Sequence, residues 1–276
     1  SDGIGGALVA ALRSDAADSK VARTVCATLS DLATVTDHAL ALQRDGCGAA
    51  VTAVLQRYAD DTVVSLFACG TLRGLAFVEA NRCDLVRDGA DTATIAILQR
   101  HVGDASVARN GCGVLWNLTA SKDSREALLA HGCGSATAAV VAVLKQDGLA
   151  SWVAHAALCV LQNISVSVEC CVPLVRDHGA VAAIVTALQQ NYYGVNVAQA
   201  ACSALRNLAA SVEARKVLAR DASVIAAVAV ELKRNDNDVK VATAGCWVIG
   251  NMAEEEEGRA LLARDANASA AVVTVL

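Results

Sequence analysis

Apolar and polar positions alternate along this chain in a pattern that returns about every 44 residues. In one copy, Val107, Gly111, Leu115 and Leu118 form a series of small and apolar residues three or four positions apart. An α-helix turns by about 100° per residue, so residues with this spacing lie on one face of a helix. The pattern therefore predicts a chain of short helices, each of which buries one stripe of its surface.

The segment that repeats most clearly runs from Gly111 to Thr119, and five other segments restate it. The position of Asn117 is held in the six copies by Asp31, Gly74, Asn117, Asn163, Asn207 and Asn251. Successive members of this series are 43, 43, 46, 44 and 44 residues apart. A fixed period in the forties is typical of helical repeat proteins. The longer step predicts a short insertion, which we place between Gly132 and Gln146 and again near Asp177.

Each copy predicts three helices, and the fifth copy shows them best. The predicted helices there are Val168–Arg176, Ala180–Gln190 and Asn196–Ala209, with a turn at Tyr192-Tyr193-Gly194 before the third. A glycine, which readily adopts the left-handed backbone that ends many helices, follows the first helix in four copies. These glycines are Gly46, Gly89, Gly132 and Gly179. Ala222 and Ala266 take the place of glycine in the last two copies, so we expect a different turn there.

Two segments, Cys112 to Thr119 and Cys202 to Ala209, carry a resemblance to the armadillo repeat family, including beta-catenin-like and importin-alpha-like proteins. The resemblance implies an all-α fold, a right-handed superhelical solenoid of three-helix repeats. It also implies a concave groove, lined by the third helices, that holds extended peptides. Two-helix HEAT repeats are the alternative, and the short helix predicted at 212–220 argues against them.

The resemblance extends over residues 1–276, which we interpret as one repeat domain. The predicted boundaries give a partial repeat 1–33, complete repeats 34–76, 77–119, 120–165, 166–209 and 210–253, and a truncated repeat 254–276. Because the chain starts and stops inside repeats, we expect it to be a fragment of a longer protein.

Composition narrows the class of partner. The net charge is −5, which gives no support to nucleic-acid binding. The longest apolar runs are far shorter than the roughly 20 residues that span a membrane, so no direct membrane insertion is expected. Five of the eleven cysteines hold one repeat position, which favours buried free thiols in a reducing compartment, the cytoplasm or the nucleus. These five are Cys26, Cys69, Cys112, Cys202 and Cys246.

The third helices carry the candidate binding residues. Asn117 lies about 200° around its helix from Leu115, so it is expected to face away from the core, beside the small residue Gly113. Small residues at this position would leave the floor of the groove open to an extended peptide. The side-chain amide of asparagine offers both an acceptor and a donor, so it could bond to the peptide backbone. The predicted asparagines are Asn117, Asn163, Asn207 and Asn251. The alternative is that each asparagine caps its own helix end.

Basic and aromatic residues accompany these asparagines: Arg73, Arg109, Trp116, Arg206 and Trp247. Arginines in the groove predict an acidic or phosphorylated peptide. The alternative is that their stems simply cover apolar surface on solvated helices. The resemblance to importin-alpha-like proteins implies slots for lysine stems between Trp and Asn four residues apart, and only Trp247 with Asn251 has this spacing.

No catalytic residue, metal ligand or cofactor is predicted. The five histidines, His38, His101, His131, His155 and His178, occupy unrelated repeat positions and match no motif. We therefore expect a non-enzymatic scaffold or adaptor for a protein or peptide partner, without a prediction of its oligomeric state. Two alternatives are a regulatory armadillo segment of a larger signalling enzyme and a divergent nuclear-import-type cargo receptor.

Overall fold

The described part of the chain is entirely helical. The computed structural model describes residues 2–14, 18–130, 132–176, 179–190 and 194–275. These residues form nineteen α-helices, one 3₁₀ turn and no strand. The turn predicted at Tyr192-Tyr193, together with His131 and His178, lies outside the described residues. The chain divides into two compact units, residues 1–146 and 147–276.

The first unit consists of the helices up to the turn after Leu144. They are α1 Asp2–Arg13, α2 Ser19–Leu32, α3 Thr36–Arg44, α4 Cys47–Arg57, α5 Thr62–Phe77, α6 Arg82–Arg87, α7 Ala90–Arg100, α8 Ala105–Ala120, α9 Lys122–Leu129 and α10 Gly134–Leu144, with a 3₁₀ turn at Glu79–Asn81 before α6. The third helices α2, α5 and α8 pack side by side, and the second helices α4, α7 and α10 form a layer behind them. Leu29, Leu72 and Leu115, at one repeat position, are completely buried, which confirms the predicted register.

The second unit continues the same pattern. It contains α11 Ser151–Ile164, α12 Val168–Arg176, α13 Ala180–Gln189, α14 Val195–Ala210, α15 Val212–Leu218, α16 Ala222–Arg234, α17 Val239–Met252, α18 Glu256–Arg264 and α19 Ala266–Val275. The third helices α11, α14 and α17 pack in succession. Leu161, Leu205 and Ile249, at the position of Leu115, are buried. The three helices predicted for the fifth copy are thus confirmed to within one residue at each end.

The turns after the first helices behave as the glycine pattern predicts. Gly46, Gly89, Gly132 and Gly179 have φ of 78°, 78°, 93° and 61°, the left-handed conformation that glycine adopts without steric cost. Where alanine replaces glycine, an aspartate makes the turn. Asp221 accepts a hydrogen bond from the backbone N–H of Ser223 at 2.9 Å, and Asp265 accepts one from Asn267 at 2.9 Å.

The insertion in the fourth copy consists of three residues in two places. One extra residue, Cys133, separates Gly132 from α10, and two lengthen the turn to α11, which spans 145–150 where the earlier turns span 58–61 and 101–104. The insertion therefore extends slightly beyond the predicted window, while the second predicted place, at Asp177, lies outside the described residues. Among the described residues no single helix meets the length and apolarity of a membrane span, although three bent pairs of consecutive helices do so by length and composition.

Candidate functional site

In the first unit, the asparagine chosen as a peptide contact bridges two helices. The Nδ2 of Asn117 on α8 donates a hydrogen bond to the backbone carbonyl of Arg73 on α5, at 3.1 Å. Two turns earlier, Asn110 Nδ2 donates to the carbonyl of Leu66 at 2.9 Å. Asn117 thus bonds to the neighbouring third helix, whereas the alternative drawn from the sequence is a cap on its own helix end. This bond uses one of the two N–H donors of the Asn117 amide, and its Oδ1 can accept an N–H from a peptide.

The floor of this surface is closed, and not open as the small residues suggested. A Cβ on Gly113 would lie 2.6 Å from the Cδ of Arg73, so the arginine stem lies directly on that glycine. A Cβ on Gly70 would lie 2.7 Å from the Oγ of Ser30. The small residues predict space for a ligand, whereas side chains of the neighbouring third helix occupy this space.

The closed floor brings three predicted site residues together. Arg109 and Trp116 lie one turn before and one turn after Gly113 on α8, on the side of that helix which the Arg73 stem covers. Burial lowers the pKa of Arg73, and the positive charge of Arg109 lowers it further. Arg73 makes no ion pair with any described residue, and the Trp116 side chain beside it is 36% exposed. In this arginine patch, defined as Arg73, Arg109 and Trp116, the Arg73 guanidinium can bind an anion.

In the second unit, Asn207 repeats the bridging role. Its Nδ2 donates to the carbonyl of Gln162 on α11 at 3.1 Å and lies 3.3 Å from the Oγ of Ser165. The guanidinium of Arg206 reaches the Oδ1 of Asn207 at 3.5 Å. Asn163 on α11 is half-buried. These predicted residues therefore lie on neighbouring third helices, with Asn207 again using its amide donor inside the protein.

Trp247 and Asn251 on α17 differ in how far they are exposed to solvent. The Trp247 side chain is 59% exposed, whereas Asn251, expected to face away from the core, is buried at 9% exposure. Asn251 is the last residue but one of α17. Trp247 is consequently the member of the pair that a ligand can reach.

The sequence analysis did not identify an arginine that recurs eight positions after the repeat position of Asn117. Arg82, Arg125 and Arg259 sit in first helices and donate to carbonyls at the ends of the preceding third helices, at 2.9 Å to Ala76, 3.1 Å to Thr119 and 3.0 Å to Ala253 respectively. Helix-terminal carbonyls lack partners within the helix, and a cation complements them. The signal was present, since arginine recurs at 82, 125, 215 and 259.

The acidic run 254–257, which leads into α18, is paired with the preceding repeat. Arg215 on α15 binds Glu254 and Glu255, both at 3.0 Å, and its side chain is largely buried. Arg220 binds Glu257 at 3.0 Å. The run therefore contributes to the contact between two successive repeats in the second unit.

The thiols and histidines show no reactive arrangement in the described part of the chain. All eleven cysteines are free thiols, and burial raises the pKa of Cys69 and Cys112 to about 12. His155 lies 3.4 Å from Cys159, but burial lowers the pKa of His155 and raises that of Cys159 to about 12, so both stay neutral. No group of three or more potential metal ligands occurs among the described residues.

Comparison with known structures identifies the architecture. No protein-family description and no curated protein matches the sequence. An engineered protein from the Northeast Structural Genomics Consortium matches at a TM-score of 0.72 and 21% identity, over 91% of this chain and 96% of that one. A designed armadillo repeat protein in complex with the peptide (KR)4 matches at 0.71 and 17%, over 90% and 98%. A computationally designed armadillo repeat protein for modular peptide recognition matches at 0.71 and 18%, over 89% and 98%.

Proposed function

We propose that this chain, which has an armadillo-like repeat fold, is a scaffold that binds an extended acidic segment of another protein on the third helices of its first unit. The observation that carries the proposal is the arginine patch. Arg73 is half-buried beside the like charge of Arg109. A carboxylate or phosphate bound between the two guanidinium groups would relieve this repulsion and form charge-assisted hydrogen bonds.

The fold supports a peptide as the ligand. Of the designed armadillo proteins with a similar structure, one is in complex with a peptide and another was designed for modular peptide recognition. The peptide in that complex, (KR)4, is basic, whereas the arginine patch favours an acidic peptide. Beside the patch, the Oδ1 of Asn117 can accept an N–H from the peptide backbone, while Trp116 supplies an exposed apolar surface. Backbone and charge would then be recognised at adjacent points of one surface.

The second unit is proposed to bind protein segments with its own third helices. Asn163, Arg206 and Asn207 lie on α11 and α14, and Trp247 is exposed on α17. Asn251 is buried, so the proposal uses Trp247 as the accessible residue of that pair. The partner is a protein or peptide, and the proposal assigns no catalytic step, cofactor or metal to this chain. Its free thiols fit a reducing compartment, and we propose the cytoplasm or the nucleus.

The test uses a defined probe, a fluorescent peptide of about eight residues that alternates glutamate and alanine. Its affinity for the full chain is measured by fluorescence anisotropy at low and moderate salt. We expect binding that weakens as salt rises, because the contacts are ionic. Combining Arg73→Ala with Arg109→Ala should weaken it about tenfold or more.

The matched control is Arg87→Ala. Arg87 is an exposed arginine at the end of α6 that pairs with Asp84 at 2.6 Å. Its removal should leave the affinity unchanged. A peptide in which lysine replaces glutamate should bind more weakly than the acidic probe. The proposal is wrong if the double variant binds the acidic probe as tightly as the wild type, or if the lysine peptide binds better.

A further inference from the structure

A cavity of about 540 Å³ opens at a corner between two successive repeats of the second unit. Ser165 and Asn207 line it near the ends of α11 and α14, and Cys171, Val168 and Val212 line it from the first helices that follow. The two valines are 68% and 51% exposed. This volume is within the range of sites that hold small ligands or side chains. We call it the corner cavity.

The corner cavity exists because a small residue occupies a position that elsewhere holds arginine. Cys171 is eight residues after Asn163, the spacing at which Arg82, Arg125 and Arg259 follow their own repeat positions. Those arginines fill the corner and donate to the last carbonyls of the third helix. Cys171 reaches the equivalent carbonyl, that of Ser165, only with its Sγ at 3.3 Å. A thiol is a weak donor, and its short side chain leaves the corner unfilled.

At the corner cavity, the next repeat supplies no side chain in place of the missing arginine. In the repeat 34–76 the same position is also small, Ala39, but Asn81 of the next repeat reaches in and donates to the Ala39 carbonyl at 3.2 Å. The residue equivalent to Asn81 at the corner cavity is Ala214, which has no such group. Arg215, the next residue, is bound to Glu254 and Glu255 and does not line the cavity.

We propose that the corner cavity binds an arginine side chain of a partner protein, which takes the place of the arginine that other repeats supply themselves. The helix-end carbonyl of Ser165 would accept from the guanidinium, and the C-terminal end of α11 favours a positive charge. Val168 and Val212 would cover the methylene stem, as apolar surfaces commonly do for arginine.

The charge at the mouth of the corner cavity agrees with a cationic ligand. Glu213 is the one charged residue among those that line it. Its carboxylate is 3.1 Å from the Nζ of Lys216, and both side chains are about half exposed. An exposed ion pair of this kind contributes little to stability, so an incoming guanidinium can share the Glu213 carboxylate with Lys216. This site does not depend on the arginine patch of the first unit, which is proposed to bind the opposite charge.

The test uses a blocked pentapeptide with arginine at its centre and alanine elsewhere, titrated into the full chain and followed by NMR chemical-shift changes. Cys171→Arg should fill the corner from within, as Arg125 does in its repeat, and weaken binding at least tenfold. The control Cys171→Ala keeps the cavity and should leave the affinity within about twofold. A peptide with citrulline in place of arginine, which keeps the shape without the charge, should bind at least about tenfold more weakly.

Melting curves separate loss of the site from loss of the fold. Cys171→Arg should melt no lower than the wild type, because the chain accommodates arginine at this position in other repeats. If this variant does not fold, Glu213→Lys at the exposed mouth provides the same test and should also weaken binding at least several-fold. The proposal is overturned if the arginine peptide does not saturate, or if a leucine peptide binds equally well. It is also overturned if the Cys171→Arg variant folds and still binds the arginine peptide as tightly as the wild type.

The two proposals can fail separately. The Arg73 and Arg109 changes should leave the arginine peptide unaffected, and Cys171→Arg should leave the acidic probe unaffected. Loss of acidic-peptide binding with intact arginine binding would therefore reject the arginine patch and keep the corner cavity, and the reverse result would do the opposite.

Discussion

The side-chain amide of Asn117 donates to the backbone carbonyl of Arg73 at 3.1 Å, while the side chain of Arg73 covers Gly113, one turn before Asn117. Each of the two helices, α5 and α8, therefore contributes one side chain that contacts the backbone of the other. Asn207 makes the same kind of bond to Gln162 between α11 and α14. An asparagine on the third helix is therefore a structural contact between repeats before it is a contact for any ligand.

This relationship predicts a stability cost for removing the asparagines. Asn117→Ala and Asn207→Ala should each lower the free energy of unfolding by about 0.5–1.5 kcal/mol, the usual net value of one internal hydrogen bond. Asn237→Ala is the control, because Asn237 is an exposed turn residue bonded only to Asp236, and its effect should stay within about 0.5 kcal/mol. Urea unfolding measures all three. Asparagine variants as stable as the wild type would contradict the bridging role.

Leu115→Ala tests the core register. Leu115 is completely buried between helices, so truncation removes apolar contacts and leaves a cavity. We expect a loss of about 2–5 kcal/mol in the free energy of unfolding. The neighbouring exposed residue supplies the comparison, since Trp116→Ala should cost much less. If the two substitutions had equal effects, the assignment of the buried stripe would be wrong.

Two glycines at different sites should respond to alanine in opposite directions. A Cβ on Gly258 would lie 2.0 Å from the backbone carbonyl oxygen of Met252, which cannot move aside as a flexible side chain would. Gly258→Ala should therefore destabilise the chain by about 1–3 kcal/mol. Gly250 on α17 has no atom within 4 Å of its Cβ position, so Gly250→Ala should stabilise by about 0.5–1 kcal/mol. Thermal melting of both variants checks the signs.

Thiol reactivity should follow burial. Cys83 and Cys246 are partly exposed, and the other nine cysteines are buried. Burial raises the pKa of Cys26, Cys159 and Cys202 to about 12, so these groups carry almost no thiolate near pH 8. A thiol-specific reagent should label about two groups rapidly in the native protein and all eleven after denaturation. Fewer than eleven reactive groups in denatured, unreduced protein would instead reveal disulfides.

The sequence by itself determined the repeat and its helices. Apolar residues three and four positions apart define which helix face is buried, because the geometry of an α-helix depends on local backbone alone. Gly46, Gly89 and Gly179 marked the helix ends because a positive φ is also a local property of the backbone, and it favours glycine. Even the different turn at Ala222 followed from the absence of that glycine. These features need only the residue and its near neighbours in the chain.

The tertiary structure alone decided what the third-helix residues contact. The periodicity predicted that Asn117 faces away from the core, but only packing brought the Arg73 carbonyl within reach of its amide. The same packing filled the space over Gly113 and buried Asn251. Such contacts join residues about forty positions apart, and their distances depend on how closely two helices approach. A small residue in the sequence is compatible both with an open floor and with a neighbour's side chain, and the approach of α5 to α8 selects the second.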